Sequence, residues 1–128
     1  MNSGQRDLME FKLQRALETL EEAKVMLDTE HFYGASNSAC FYAVSALLMT
    51  KELSNSKHSG VIASFNKHFI KENLLPVELG KFYSRIFDNR QQSDYGDVFT
   101  IEIEEIKNDL ETAEIFINKI KELTNSST

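Results

Sequence analysis

The sequence predicts an all-α fold, an antiparallel bundle of four to five helices. The chain has 128 residues with one proline and five glycines, so it offers few places to turn. Between those places the apolar residues recur at steps of three and four, as on an amphipathic helix, and no segment shows the alternation of a strand. The length suits one domain with its own core. We therefore expect a single domain over residues 1–128, with a tail that frays from about residue 124.

The first two helices are predicted from apolar spacing. Leu13, Leu20 and Leu27 lie on one strip with small residues between them, which predicts a helix over about residues 5–29. Residues 35–53 are almost wholly apolar, and a helix of that composition is buried on most sides.

The second half of the chain holds three more helical segments. A short amphipathic stretch is predicted to end near Asn73, and Pro76 suits the first turn of the next helix. The last helix is predicted over about residues 99–123, with acidic residues first and lysines last, as the helix dipole favours. Its inner face is predicted from apolar residues at alternating steps of three and four, namely Ile103, Ile106, Leu110, Ala113, Ile117 and Ile120.

Composition limits the classes of function. The formal net charge is −6, which argues against a general polyanion binder, because affinity for nucleic acid comes largely from lysine and arginine. The single cysteine, Cys40, lies in an apolar run and is predicted to be buried, which fits a reducing cytoplasm. No apolar run approaches the roughly 20 residues that span a bilayer, so we expect a cytoplasmic protein without membrane contact.

Metal and cofactor chemistry has little support in the sequence. His31, Cys40, His58 and His68 lack the spacing of a zinc site, and the glycines do not form a phosphate-binding loop. We therefore predict no metal and no cofactor.

The polar segment DNRQQSDYGD, residues 88–97, holds the side chains of this sequence that are best suited to binding or catalysis. Arg90 presents a planar guanidinium suited to phosphate, and the hydroxyl of Tyr95 can donate, accept or be modified. Asp94 lies between them. These residues are expected to form a polar rim facing a cleft, at or near the start of the final helix; the alternative is a structural network at the end of the bundle.

Three motifs in order give the chain a resemblance to the HEPN superfamily, in particular its stand-alone bacterial and archaeal branch. Arg90, Asp94 and Tyr95 fit an R-x-x-x-D-Y pattern, and His58 with Gly60 fits an H-x-G pattern. The second predicted helix matches an A-x-N-R-A-Y-Y-A pattern, with Ser38 in place of the arginine. The matching residues are Ala35, Asn37, Ala39, Phe41, Tyr42 and Ala43.

This resemblance implies a function and a partner. HEPN ribonucleases are thought to use an arginine and a following histidine, without metal, in a cleft between two subunits. Here Tyr95 stands where that histidine would be, and no histidine follows Arg90. A phenol does not titrate near neutrality as imidazole does, so efficient nuclease activity is not expected. In a related toxin branch, a tyrosine just beyond the motif is the site where a partner nucleotidyltransferase attaches AMP, which makes Tyr95 a candidate modification site.

The leading hypothesis is a homodimeric HEPN-like module of a toxin–antitoxin or defence-type system. It would bind RNA or a nucleotide through Arg90, Asn37 and His58, with a minimal nucleotidyltransferase as partner. One alternative is a metal-independent endoribonuclease using Arg90, Asp94 and Tyr95, and another is a purely structural partner subunit. Dimerisation is also suggested by apolar side chains near predicted helix ends, namely Phe32, Phe87 and Phe99.

Overall fold

The computed structural model describes residues 2–26, 32–53, 57–94 and 103–126. Within these ranges the chain forms helices and no strand, so the predicted all-α bundle is confirmed. The elements are α1 (Ser3–Lys24), α2 (Phe32–Met49), α3 (His58–Phe65), a π-helix (Asn66–Ile70), α4 (Val77–Asp94) and α5 (Ile103–Ser126).

Helices α1 and α2 form an antiparallel pair. The start of α1 is fixed by a capping box, in which the Asn2 side chain accepts from the Gln5 amide at 2.8 Å and the Gln5 side chain accepts from the Asn2 amide at 2.9 Å. The Arg15 guanidinium lies over the Tyr42 ring, 5.5 Å from its centroid. Helix α1 ends at Lys24, earlier than the predicted residue 29, and the last three predicted positions lie outside the described residues.

Helix α2 runs through the centre of the bundle and is the most buried element among the described residues, as its apolar composition predicts. Cys40 has no exposed surface, and burial raises the pKa of its thiol. Phe32 also lies in the core, so its proposed contribution to a dimer surface was wrong. Phe87 is partly buried and Phe99 lies outside the described residues, and dimerisation itself stays a prediction.

The third helical segment changes its winding partway. Helix α3 passes directly into the π-helix, and Asn73, with a φ of 61°, ends the turn that follows. The Pro76 carbonyl accepts from the Leu79 amide at 3.0 Å. Pro76 therefore immediately precedes α4, one position before its predicted place in the first turn.

Helices α4 and α5 pack antiparallel around an aromatic cluster. The ring of Phe116 on α5 lies 5.6 Å from the ring of Tyr83 and 5.9 Å from that of Phe82, both on α4. Phe65 of α3 completes the cluster at 5.6 Å from Phe116. Helix α5 extends to Ser126, and within it Thr124 is buried and its hydroxyl donates to the Lys121 carbonyl. The fraying expected from about residue 124 stays a prediction.

Candidate functional site

The sequence-predicted site residues lie on three helices. Arg90 and Asp94 belong to the last turns of α4, where the structure describes the helical backbone. They therefore precede the final helix in the chain, and the clustering of Arg90, Asp94 and Tyr95 at or near its start stays a prediction. Tyr95 lies outside the described residues, His58 is the first residue of α3, and Asn37 lies in the middle of α2.

Three side chains from different helices meet at the middle of α4. The Arg85 guanidinium donates two hydrogen bonds to the Asp109 carboxylate, from Nη2 to Oδ1 at 2.6 Å and from Nη1 to Oδ2 at 3.0 Å. The Tyr33 hydroxyl donates to Oδ2 of the same carboxylate at 2.9 Å. This Tyr33–Asp109–Arg85 network joins α2, α5 and α4 around one carboxylate.

The electrostatics of the network follow from burial. Asp109 is 4% exposed, so its charge is stabilised by the guanidinium and the phenol in place of water. Burial, and then the nearby Asp109 carboxylate, raise the pKa of Tyr33 above its ordinary value, so the phenol is a proton donor at neutral pH. The hydrogen bond to Asp109 raises the pKa of Arg85, which remains a cation.

The positions of Tyr83 and Cys40 indicate the level of residue 90 against α2, because α4 and α2 run in opposite directions. Burial, and then the nearby Cys40 thiol, raise the pKa of Tyr83, and both side chains are fully buried between α2 and α4. Seven residues further along α4 is Arg90, and seven residues back along α2 is Tyr33. Since both helices rise about 1.5 Å per residue, the backbone of residue 90 lies near the level of Tyr33.

The backbone register of α4 also shows which strip of the helix carries position 90. It follows Leu79, Tyr83 and Ile86 at helical spacing, and these three residues are buried against the bundle. Residue 90 therefore lies on the inward strip of α4, where α2 and α5 meet it.

The inner face of α2 carries buried polar atoms without partners. Asn37 has no exposed surface, and neither its Oδ1 nor its Nδ2 has a hydrogen-bond partner among the described residues. The same holds for the hydroxyl of Ser36. An unpaired buried polar group costs about 1–3 kcal/mol. Asn37 lies between Tyr33 and Cys40 on the strip that faces α4, so this polar layer continues the Tyr33–Asp109–Arg85 network into the bundle.

Two kinds of feature are absent from the ranges that the structure describes. No group of three or more histidine, cysteine, aspartate or glutamate residues is placed to hold a metal ion there. Among the helices of those same ranges, none has the length and apolar character needed to cross a membrane.

The sequence prediction missed Arg85 and Asp109. Asp109 lies on the inward strip of α5 with Ile106, Ala113 and Phe116, where the apolar pattern suggested Leu110. The available signal was the spacing, since residue 109 is three after Ile106 and four before Ala113. A carboxylate in that strip indicates a buried ion pair, and Arg85 is an arginine next to the buried Ile86.

Comparison with known proteins agrees with the resemblance found in the motifs. The profile described as HEPN domain matches residues 9–123. A Thermotoga maritima protein named "UPF0332 protein" is 44% identical over 119 residues, covering 91% of this chain and 90% of its own. A Methanocaldococcus jannaschii protein named "Putative toxin MJ0142" is 39% identical over 125 residues, covering 89% and 85%. A second protein of that organism, "Putative toxin MJ0605", is 29% identical over 124 residues, covering 94% and 92%.

Proposed function

Because the chain belongs to the HEPN domain family, we propose that it is a toxin-type module that binds RNA or a nucleotide at the end of α4. The toxin assignment is supported by the names of the two archaeal relatives. Binding is assigned to Arg90 and Asn37, with His58 as a further candidate from the family pattern.

The observation that carries this proposal is the unpartnered Asn37 amide. It lies at the inner face of α2, next to the strip of α4 that bears residue 90. A primary amide has two donors and an acceptor that can bind a phosphate oxygen or a nucleobase edge, and its cost to the fold is offset when a ligand supplies the partners. Since Asn37 is fully buried, the proposed ligand reaches it by local opening at this end of the bundle.

The charge of the chain requires that binding be local. A net charge of −6 repels a polyanion at long range, so affinity has to come from a few positioned cations. An arginine suits this role because its guanidinium binds phosphate with two parallel hydrogen bonds. The Arg85–Asp109 pair holds the helix that carries residue 90, which keeps its backbone position fixed.

The proposed partner is a minimal nucleotidyltransferase, and the proposed target of its chemistry is the Tyr95 hydroxyl. In such a transfer the phenol oxygen attacks the α-phosphorus of ATP, pyrophosphate leaves, and the phenol proton goes to solvent. Mass spectrometry after co-expression with a minimal nucleotidyltransferase encoded beside this chain's gene tests this step. An adenylate adduct on the wild-type chain that is absent from Tyr95→Phe is expected, whereas an adduct that persists in that variant overturns the assignment.

RNA incubation of the purified protein tests the binding proposal. The wild-type chain is expected to shift a labelled single-stranded RNA without shortening it, and Arg90→Ala to lose that binding. Arg6→Ala is the matched control. Arg6 is an exposed arginine near the start of α1, and its substitution by alanine removes the same charge. Equal binding by Arg90→Ala and Arg6→Ala overturns the assignment. RNA cleavage that depends on Arg90 replaces binding with the endoribonuclease alternative.

A further inference from the structure

A groove of about 640 Å³ lies between the π-helix with its following turn and the outer face of α4. Its size is that of typical ligand sites, which occupy roughly 300–1,000 Å³. Gly80 allows the two walls to approach at the floor, since a Cβ there would lie 2.9 Å from Asn66 Oδ1. The polar residues lining it, apart from Arg85, are Asn66, Lys71, Lys81, Ser84, Asp88 and Asn89.

Arg85 gives this groove a cation that is held in place from behind. A guanidinium has five N–H donors, and two of those of Arg85 bind Asp109, so three are left. The Arg85 side chain is 45% exposed, and its Cζ lies 5.6 Å from the centroid of the Phe82 ring. Because the carboxylate and the ring already fix the guanidinium, a ligand that binds it costs little additional side-chain entropy.

Two further cations stand on opposite walls of the groove. Lys71 follows the π-helix and Lys81 lies on α4, and both are exposed and outside any ion pair among the described residues. The three cations outnumber the two nearby carboxylates, Asp88 in the lining and Asp109 behind Arg85, in a chain whose net charge is −6. The two lysines give the groove two separate positions for an anionic oxygen.

The remaining polar groups indicate what kind of anion fits. Asp88 and Asn89 offer oxygen acceptors at the end of the groove nearest the end of α4. Ribose hydroxyls and nucleobase amino groups are donors that such oxygens accept, whereas a bare polyphosphate has none to offer. We propose that this groove binds a single RNA strand, with backbone phosphates at Lys71, Lys81 and Arg85 and a ribose or base edge at Asp88 and Asn89.

This inference rests on the proposed function, because RNA is the ligand proposed for the end of α4, but it concerns a separate surface. The groove lies along the strip of α4 that contains Val77, Lys81, Ser84 and Asp88, while residue 90 continues the buried strip opposite. One RNA strand can contact both the groove and the end of α4, and substitutions can remove either contact while leaving the other in place.

The test is an amide-resolved NMR titration of the full chain with a short oligouridylate and, separately, with AMP. Saturable shifts at the amides of Lys71, Gly80 and Ser84 are expected with the oligouridylate, at lower concentration than with AMP, because a strand offers several phosphates. Shifts confined to the Asn37 side chain and the end of α4 support the proposed function and overturn the groove. Shifts confined to the groove support the groove as the RNA site and overturn the proposed binding at the end of α4. Equal affinity for AMP overturns the strand as the occupant.

Paired charge variants make the same test quantitative. Lys71→Gln with Lys81→Gln is expected to reduce the slope of log affinity against log salt by about 1.4, at roughly 0.7 for each lost phosphate contact of a single strand. Lys67→Gln with Lys107→Gln removes the same charge from exposed lysines that do not line the groove, and is expected to leave the slope unchanged. Equal slopes for the two double variants overturn the proposal.

Discussion

Arg85 and Asp109 form a bidentate ion pair between α4 and α5, with N···O distances of 2.6 and 3.0 Å, and its two members differ in exposure. The Arg85 side chain is 45% exposed and the Asp109 side chain 5%. The guanidinium can therefore turn to water if its partner is lost, whereas the carboxylate cannot.

This asymmetry predicts unequal costs of mutation. Arg85→Met leaves a buried carboxylate with the Tyr33 hydroxyl as its remaining side-chain hydrogen-bond donor among the described residues, and is expected to destabilise the fold by about 2–3 kcal/mol. Asp109→Asn keeps an acceptor for the Tyr33 hydroxyl, so its expected cost is about 1 kcal/mol. Urea denaturation of both variants and of the double variant measures the difference. A larger loss in Asp109→Asn would contradict the account.

Alkaline pH is expected to destabilise the protein through three buried acids. The pKa values of Cys40, Tyr33 and Tyr83 are all raised in the fold, mainly by burial, from ordinary values of 9.0 for the thiol and 10.0 for the phenols. The unfolded chain thus loses these protons at lower pH than the folded chain. Stability is complete below about pH 9 and falls above it, by at most about 1.4 kcal/mol per pH unit for each group.

Cys40→Ala supplies the control for this pH dependence. With the thiol removed, the fall in unfolding midpoint is expected to begin near pH 10, since the two phenols remain. Thermal unfolding between neutral pH and pH 11 measures both profiles. Superimposable profiles for wild type and variant, or a flat wild-type profile, would rule out this origin.

Two helical glycines are expected to respond oppositely to alanine. At Gly80 a Cβ would lie 2.9 Å from Asn66 Oδ1 and 3.0 Å from Ile70 Cγ1, so the π-helix has to shift and Gly80→Ala should lower the melting temperature. At Gly34 a Cβ meets no atom of the described residues within 4 Å. Gly34→Ala should therefore stabilise α2 by about 0.5–1 kcal/mol. A stabilising Gly80→Ala would show that the groove floor is looser than described.

Removing the unpartnered Asn37 amide should separate stability from binding. Asn37→Leu replaces the amide with an apolar group of similar size and is expected to raise the free energy of unfolding by about 1 kcal/mol while lowering RNA affinity. Ser36→Ala removes a neighbouring unpartnered hydroxyl and should leave RNA affinity unchanged. Denaturation and RNA titration of both variants check this. Destabilisation by Asn37→Leu with unaltered RNA affinity would make Asn37 a structural residue.

Apolar spacing was enough to predict the helices. The strips through Leu13 and Leu20 and through Ile106 and Ala113 are buried where the sequence placed them, because one-sided burial of a helix leaves a period in its own residues. Helix ends were less predictable. The structure extends α4 through Asp94, and nothing in the polar residues after Asp88 distinguishes a last helical turn from a loop.

The polar layer was harder to predict than the core. Asp109 was passed over because a carboxylate is usually exposed, and only its contact with Arg85 and Tyr33 makes its burial favourable. Unpartnered atoms such as those of Asn37 depend on what neighbouring helices fail to offer, which no local pattern contains. The predicted roles of Arg90, Asp94 and His58 stay predictions, and that of Tyr95 lies outside the described residues.

The central claim, a toxin-type module acting through the end of α4, is tested most directly by the growth of cells in which this chain is induced alone. Wild-type chain is predicted to arrest growth, Arg90→Ala to relieve the arrest, and Arg6→Ala to retain it, at equal protein abundance on an immunoblot. Normal growth with the wild-type chain, or equal arrest by wild type and Arg90→Ala, would contradict the account.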